Sequence, residues 1–99
     1  MEMNIGLDYD DTFTRDPIGW ADFIKAFTAR GHKVYIVTWR DEEEAKEVHM
    51  AMQYWKVECE GIYATNRKAK ERFMYGQGIR IDVMIDDMPH AWVRDMERA

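Results

Sequence analysis

Three short apolar runs in this 99-residue sequence end on side chains that carry oxygen. Met3 to Leu7 runs into Asp8, with Asp10 and Asp11 just beyond it; Val34 to Val37 runs into Thr38; Ile81 to Ile85 runs into Asp86 and Asp87. If the runs are parallel strands of one sheet, these residues gather at its C-terminal edge, where open α/β sheets bind ligands. Carboxylates crowded in one crevice repel one another, and they take up protons or move apart unless a cation compensates them. Mg²⁺ suits that position, because it takes hard oxygen ligands, keeps part of its water and shares its shell with phosphate oxygens. A carboxylate held beside such a phosphate can attack phosphorus and form an acyl phosphate.

The segments between the runs are of the kind that builds such a sheet. Asp16-Pro17 is a helix N-cap and first-turn pair, and Trp20, Phe23, Ile24 and Phe27 recur at helical spacing up to Gly31, which predicts a helix over Pro17 to Arg30. Val34 to Thr38 is β-branched and aromatic, as a buried central strand requires. Asp41 caps a second helix that opens on Glu42-Glu43-Glu44 and turns Ala45, Val48, Met52 and Trp55 inward. Gly61 to Ala64 reads as a short strand and Asn66 to Tyr75 as a helix stopped by Gly76 and Gly78. After the last strand, Pro89 opens a final helix carrying Trp92 and Met96. The expected total is four strands and four helices, alternating as in a parallel sheet with crossover helices.

Composition narrows the classes of function. With 46% apolar and 33% charged residues the chain is expected to form one globular domain over residues 1–99. The single cysteine, Cys59, leaves no intramolecular disulfide and no zinc cluster. The N-terminal residues lack the basic and apolar regions of a signal peptide, and no apolar run approaches the ~20 residues of a membrane span, so a cytoplasmic setting without membrane contact is expected. A net charge of −5 opposes non-specific adhesion to nucleic acid, although a bound divalent cation can reverse the local field in a site.

Ile5-Gly6-Leu7-Asp8-Tyr9-Asp10-Asp11-Thr12 resembles the first motif of the haloacid dehalogenase superfamily, a hydrophobic strand followed by Asp-x-Asp-x-Thr. Thr38 after its strand resembles the second motif, and Asp86-Asp87 resembles the fourth, in the family's order. The resemblance spans nearly the whole chain. It implies a Rossmann-like three-layer sandwich, with a four-stranded parallel sheet of order 3-2-1-4 and crossover helices on both faces. It also implies a Mg²⁺-dependent phosphomonoester hydrolase, with Asp8 as nucleophile and metal ligand and Asp10 as general acid and then base, its backbone carbonyl on the metal. Thr38 would hydrogen-bond the transferring phosphoryl group, Asp86 would complete the metal shell, and Asp87 would support it directly or through water. The family's third motif, a lysine or arginine near a helix start, falls among Arg67, Lys68 and Lys70; Lys70 is the choice and Lys68 the alternative. The second acid, Asp10, is similar to the phosphatase and phosphomutase branch.

Trp39, Arg40 and His90 directly follow motif residues and would rim the crevice, with Trp39 and Arg40 as candidate substrate contacts. Asp11 falls at a variable family position, and Asp41 is explained by capping. The intervals between motifs hold no cap domain, and Tyr9 to Pro17 leaves little for the family's flap. Capless relatives act on macromolecular phosphates or close the site by oligomerising. The expected partner is therefore a phosphorylated substrate, whether nucleotide, polynucleotide end or sugar phosphate, with a homo-oligomer as a way to complete the site. The competing function is a catalytically weak or silent domain that binds metal or a partner protein.

Overall fold

A computed structural model describes residues 1–96. Four parallel strands, β1 (Asn4–Leu7), β2 (Lys33–Thr38), β3 (Gly61–Ala64) and β4 (Val83–Ile85), form one sheet in the order β3-β2-β1-β4. The helices are α1 (Pro17–Ala29), α2 (Lys46–Tyr54) and α3 (Lys70–Gly76), with single 3₁₀ turns at Phe13–Arg15 and Pro89–Trp92. This is the expected α/β fold, with the expected strand order. No helix among the described residues is long and apolar enough to cross a membrane.

Side chains alternate across a strand, and that alternation divides the core in two. Ile5, Leu7, Val34 and Ile36 point to one face and pack with Ile24 of α1 and Val48 and Met52 of α2. Tyr35 and Val37 point to the other and pack with Met74 of α3, Ile81 and Trp92. On this second face β1 presents Gly6, and a Cβ there would fall 2.3 Å from Cη2 of Trp92, so the missing side chain is what lets the indole lie against the strand.

Helix α1 begins where the sequence places it: the Asp16 carboxylate accepts from the Gly19 N–H at 3.0 Å, with Pro17 in the first turn. The other helices begin later than the sequence suggests. Asp41 and Glu44 do form a reciprocal capping box, each side chain accepting from the other's N–H at 2.8 and 3.0 Å. The turn that follows mixes bonds to Asp41 and Glu43, and regular helix starts only at Lys46. The expected helix start at Asn66 is corrected to Lys70. Asn66 and Arg67 have φ of 53° and 65°, a left-handed pair that no right-handed helix can include. Their N–H groups, with that of Thr65, instead donate to the carbonyls of Arg40, Trp39 and Thr38, which fastens the loop after β3 to the loop after β2.

The expected final helix through Met96 is also corrected, and the described residues form three α-helices rather than four. After the 3₁₀ turn the chain crosses to the start of α3, where the Met96 N–H donates to the Arg67 carbonyl at 2.8 Å. The Asp95 carboxylate accepts from the Ala69 N–H at 2.7 Å and from Arg72 at 2.9 Å. That segment spends its hydrogen bonds on α3 rather than on its own helix.

Candidate active site

Because all four strands run the same way, Asp8, Asp86 and Asp87 lie just beyond the C-terminal ends of their strands, and Thr38 is the last residue of β2, at the same edge. β1 and β4 are hydrogen-bonded neighbours, and the Asp8 N–H donates to the Ile85 carbonyl at 2.9 Å, which carries the pairing one residue past β1 and brings Asp8 beside Asp86. Oxygens of Asp8, Asp86 and Asp87 all lie within 4.8 Å of one another.

Lys70, the first residue of α3, reaches into this group. Its Nζ donates to Asp8 Oδ1 at 2.7 Å and to Asp86 Oδ2 at 2.6 Å, and it lies 5.5 Å from the centroid of the Trp92 ring. The alternative, Lys68, bonds its surroundings through its backbone: its carbonyl accepts from Trp39 Nε1 at 3.0 Å and from the Thr65 hydroxyl at 2.9 Å, and its N–H donates to the Thr65 carbonyl at 3.1 Å. Thr12 completes the cluster: its Oγ1 lies 3.1 Å from Asp8 Oδ2 and 3.2 Å from Asp87 Oδ1, and accepts from the Asp87 N–H at 3.2 Å. The fourth-residue spacing from Asp8 to Thr12 was visible in the sequence, but its role was not.

Burial acts on Asp8 more strongly than its partners do. Removal from water raises the carboxyl from 3.8 to about 7, although the charge and hydrogen bond of Lys70 pull the other way, and the neighbouring Asp87 and Asp86 add to the rise. For Asp87 burial is outweighed, and hydrogen bonds from Asp8 and Thr12 hold its carboxyl below the ordinary value. The two neighbouring carboxyls are thus shifted in opposite directions.

The remaining candidates divide. Asp10 is exposed and stands apart from the three-carboxylate cluster: Arg40 Nε and Nη2 donate to its two oxygens at 3.0 and 2.8 Å. Arg40 also bonds Glu47 and the Glu44 carbonyl and lies 5.3 Å from the Tyr9 ring centroid. It is a fixed anchor whose N–H groups are largely used. Thr38 is fully buried, its hydroxyl accepts from the Arg40 N–H at 3.3 Å, and it does not line the crevice. Trp39 does line it, edge-on to His90, as does Arg67, which is clamped by both carboxylate oxygens of Glu44. Asp11 also lines the crevice and has φ of 60°. The crevice holds about 390 Å³.

The donor set suits a hard divalent cation: carboxylate oxygens converge from two adjacent strand ends, without sulfur or imidazole. No family model matches the chain, and neither the curated proteins nor the solved structures contain a match to it.

Proposed function

We propose that this chain is a Mg²⁺-dependent phosphomonoester hydrolase of the haloacid dehalogenase type, acting through an aspartyl phosphate on Asp8. The observation that carries the reading is the buried Asp8 carboxylate held between Lys70 and Thr12, beside Asp86 and Asp87, at the ligand-binding edge of a parallel sheet. A cation held by Asp8, Asp86 and Asp87 would neutralise the cluster and orient the phosphate.

Asp8 attacks phosphorus, forming an Asp8 Oδ–P bond as the bond from phosphorus to the ester oxygen breaks. Lys70 keeps the charges of the buried Asp8 and Asp86 side chains tolerable, and Thr12 fixes the second Asp8 oxygen. Asp10 is the group for protonating the departing oxygen and then for taking a proton from the water that attacks phosphorus and frees Asp8 and phosphate. Thr38 is buried behind the crevice rather than lining it, and its hydroxyl accepts from the Arg40 N–H, so its part is to hold the loop that carries Arg40.

One observation favours a second reading, a metal-binding domain with little turnover: Arg40 occupies both oxygens of Asp10, and catalysis requires that pair to open. Hydrolysis of p-nitrophenyl phosphate with and without Mg²⁺, in wild type and Asp8→Asn, separates the two. Mg²⁺-dependent turnover lost in the variant supports the enzyme. Mg²⁺ binding without turnover supports the second reading.

A further inference from the structure

The crevice walls carry information about the group attached to the phosphate, and this inference rests on the phosphatase reading. Six carboxylates and three cations line the crevice. Each cation is already committed: Lys70 to Asp8 and Asp86, Arg40 to Asp10 and Glu47, Arg67 to Glu44. A single divalent cation would still leave the lining net negative. A substrate carrying a second anionic group would meet no uncommitted cation among the described lining residues in this arrangement, and opening the Arg40–Asp10 pair for catalysis would free Asp10 together with Arg40, so the lining would stay net negative and repel it.

The rest of the lining is apolar, consisting of Trp39, Met88, Ala91 and Met96. Met88 and Met96 are each 40% exposed, although large apolar side chains at the mouth of a charged crevice gain nothing from water. Trp39 is held in place by its bond to the Lys68 carbonyl and by the edge of His90, so it presents a fixed surface. Methionine adapts its shape to flat apolar groups and contacts aromatic rings favourably.

We infer that the site takes a phosphomonoester whose alcohol part is uncharged and apolar, an aromatic ring above all, packed against Trp39, Met88 and Met96. Nucleoside diphosphates, sugar bisphosphates and polynucleotide ends, each with further charge close to the reacting phosphate, are disfavoured.

Phosphonates test this without requiring turnover, because their P–C bond is not hydrolysed. Calorimetry on the full chain with saturating Mg²⁺ would compare methylphosphonate, benzylphosphonate and 3-phosphonopropionate. Partial burial of the ring predicts benzylphosphonate binding about tenfold tighter than methylphosphonate. The carboxylate of 3-phosphonopropionate should give binding no tighter than methylphosphonate. The double variant Met88→Ser/Met96→Ser, at two exposed positions, should reduce the benzyl-to-methyl ratio. Equal affinity for benzyl and methyl compounds, tightest binding of 3-phosphonopropionate, an unchanged ratio in the double variant, or no binding of any of the three would overturn the inference. The expected binding pattern, with no hydrolysis of any phosphate ester, would instead retain the ligand class and remove the phosphatase reading.

Discussion

Arg67, in the loop after β3, and Lys70, where that loop passes into α3, both pair with carboxylates lining the same crevice, yet they do so in different media. The Lys70 side chain is 2% exposed and its partners Asp8 and Asp86 8% and 3%, whereas Arg67 and Glu44 are 26% and 42% exposed. Water and salt screen the rim pair, and such pairs contribute little to stability whatever their geometry. The buried cluster is unscreened, so each member there determines the charge state of the others. A strong carboxylate shift occurs in both places but from opposite causes. Burial drives Asp8 up to about 7, while hydrogen bonds from Arg67 and the Asp41 backbone hold Glu44 down at about 2. Only the first is a state that a cation or a phosphate would change greatly by entering.

The sharpest break in that contrast is Lys70→Met. Removing one partner of a buried charge cluster costs about 3 kcal/mol, and hydrolysis of p-nitrophenyl phosphate should fall to background. Arg67→Gln should leave both the melting temperature and the turnover close to wild type. A Lys70→Met protein as stable and active as Arg67→Gln would erase the distinction.

Asp8→Asn comes next. Turnover should disappear while the metal-free protein folds at least as stably as wild type, because the variant no longer buries an ionisable carboxyl. In wild type, Mg²⁺ at a hundredfold excess over its dissociation constant should add about 2.7 kcal/mol to the unfolding free energy. Much of that gain should be missing in Asp86→Ala. Thermal melts with and without millimolar Mg²⁺ measure both.

The pH dependence follows from the direction of the Asp8 shift. Its carboxyl is raised from 3.8 to about 7, so in that interval the native state holds a proton that the unfolded chain releases. The contribution of Asp8 to metal-free stability is thus fully present below 3.8 and is lost as pH rises through about 7. Mg²⁺ must displace this proton, so its affinity should weaken as pH falls, approaching about tenfold per pH unit well below the Asp8 value. Calorimetric titrations at several pH values would detect this, and a flat profile would place the metal away from Asp8.

The smallest effect is expected at Asp95, which caps the start of α3 from a distant part of the chain. Asp95→Ala should lower kcat for p-nitrophenyl phosphate modestly by loosening the turn that carries Lys70. Asp95→Asn, which keeps an acceptor for the Ala69 N–H, should restore most of it. Equal losses in both variants would point to the Arg72 ion pair rather than the cap.

Local chemistry alone was enough to identify much of this molecule. The β-branched run ending at Thr38, the Asp16-Pro17 start of α1 and the Gly61–Ala64 strand depend on neighbours a few residues away, and the structure has them where the sequence places them, whereas the last strand is shortened from Ile81–Ile85 to Val83–Ile85. The acids at the strand ends were equally legible, because parallel strands must deliver their C-terminal residues to one edge. Long-range hydrogen bonds decided the rest. Asn66 and Arg67 adopt left-handed backbone as their N–H groups bond Arg40 and Trp39, and only the resulting shift of the helix start makes Lys70 its first residue. The segment after Trp92 leaves its expected helix because Asp95 and Met96 find partners near α3. Whether an acid faces Lys70 in a dry cluster, as Asp8 does, or Arg40 in water, as Asp10 does, is equally absent from the sequence. Burial and pairing depend on what the rest of the chain places around each carboxylate, and two residues of separation are enough to reverse the outcome.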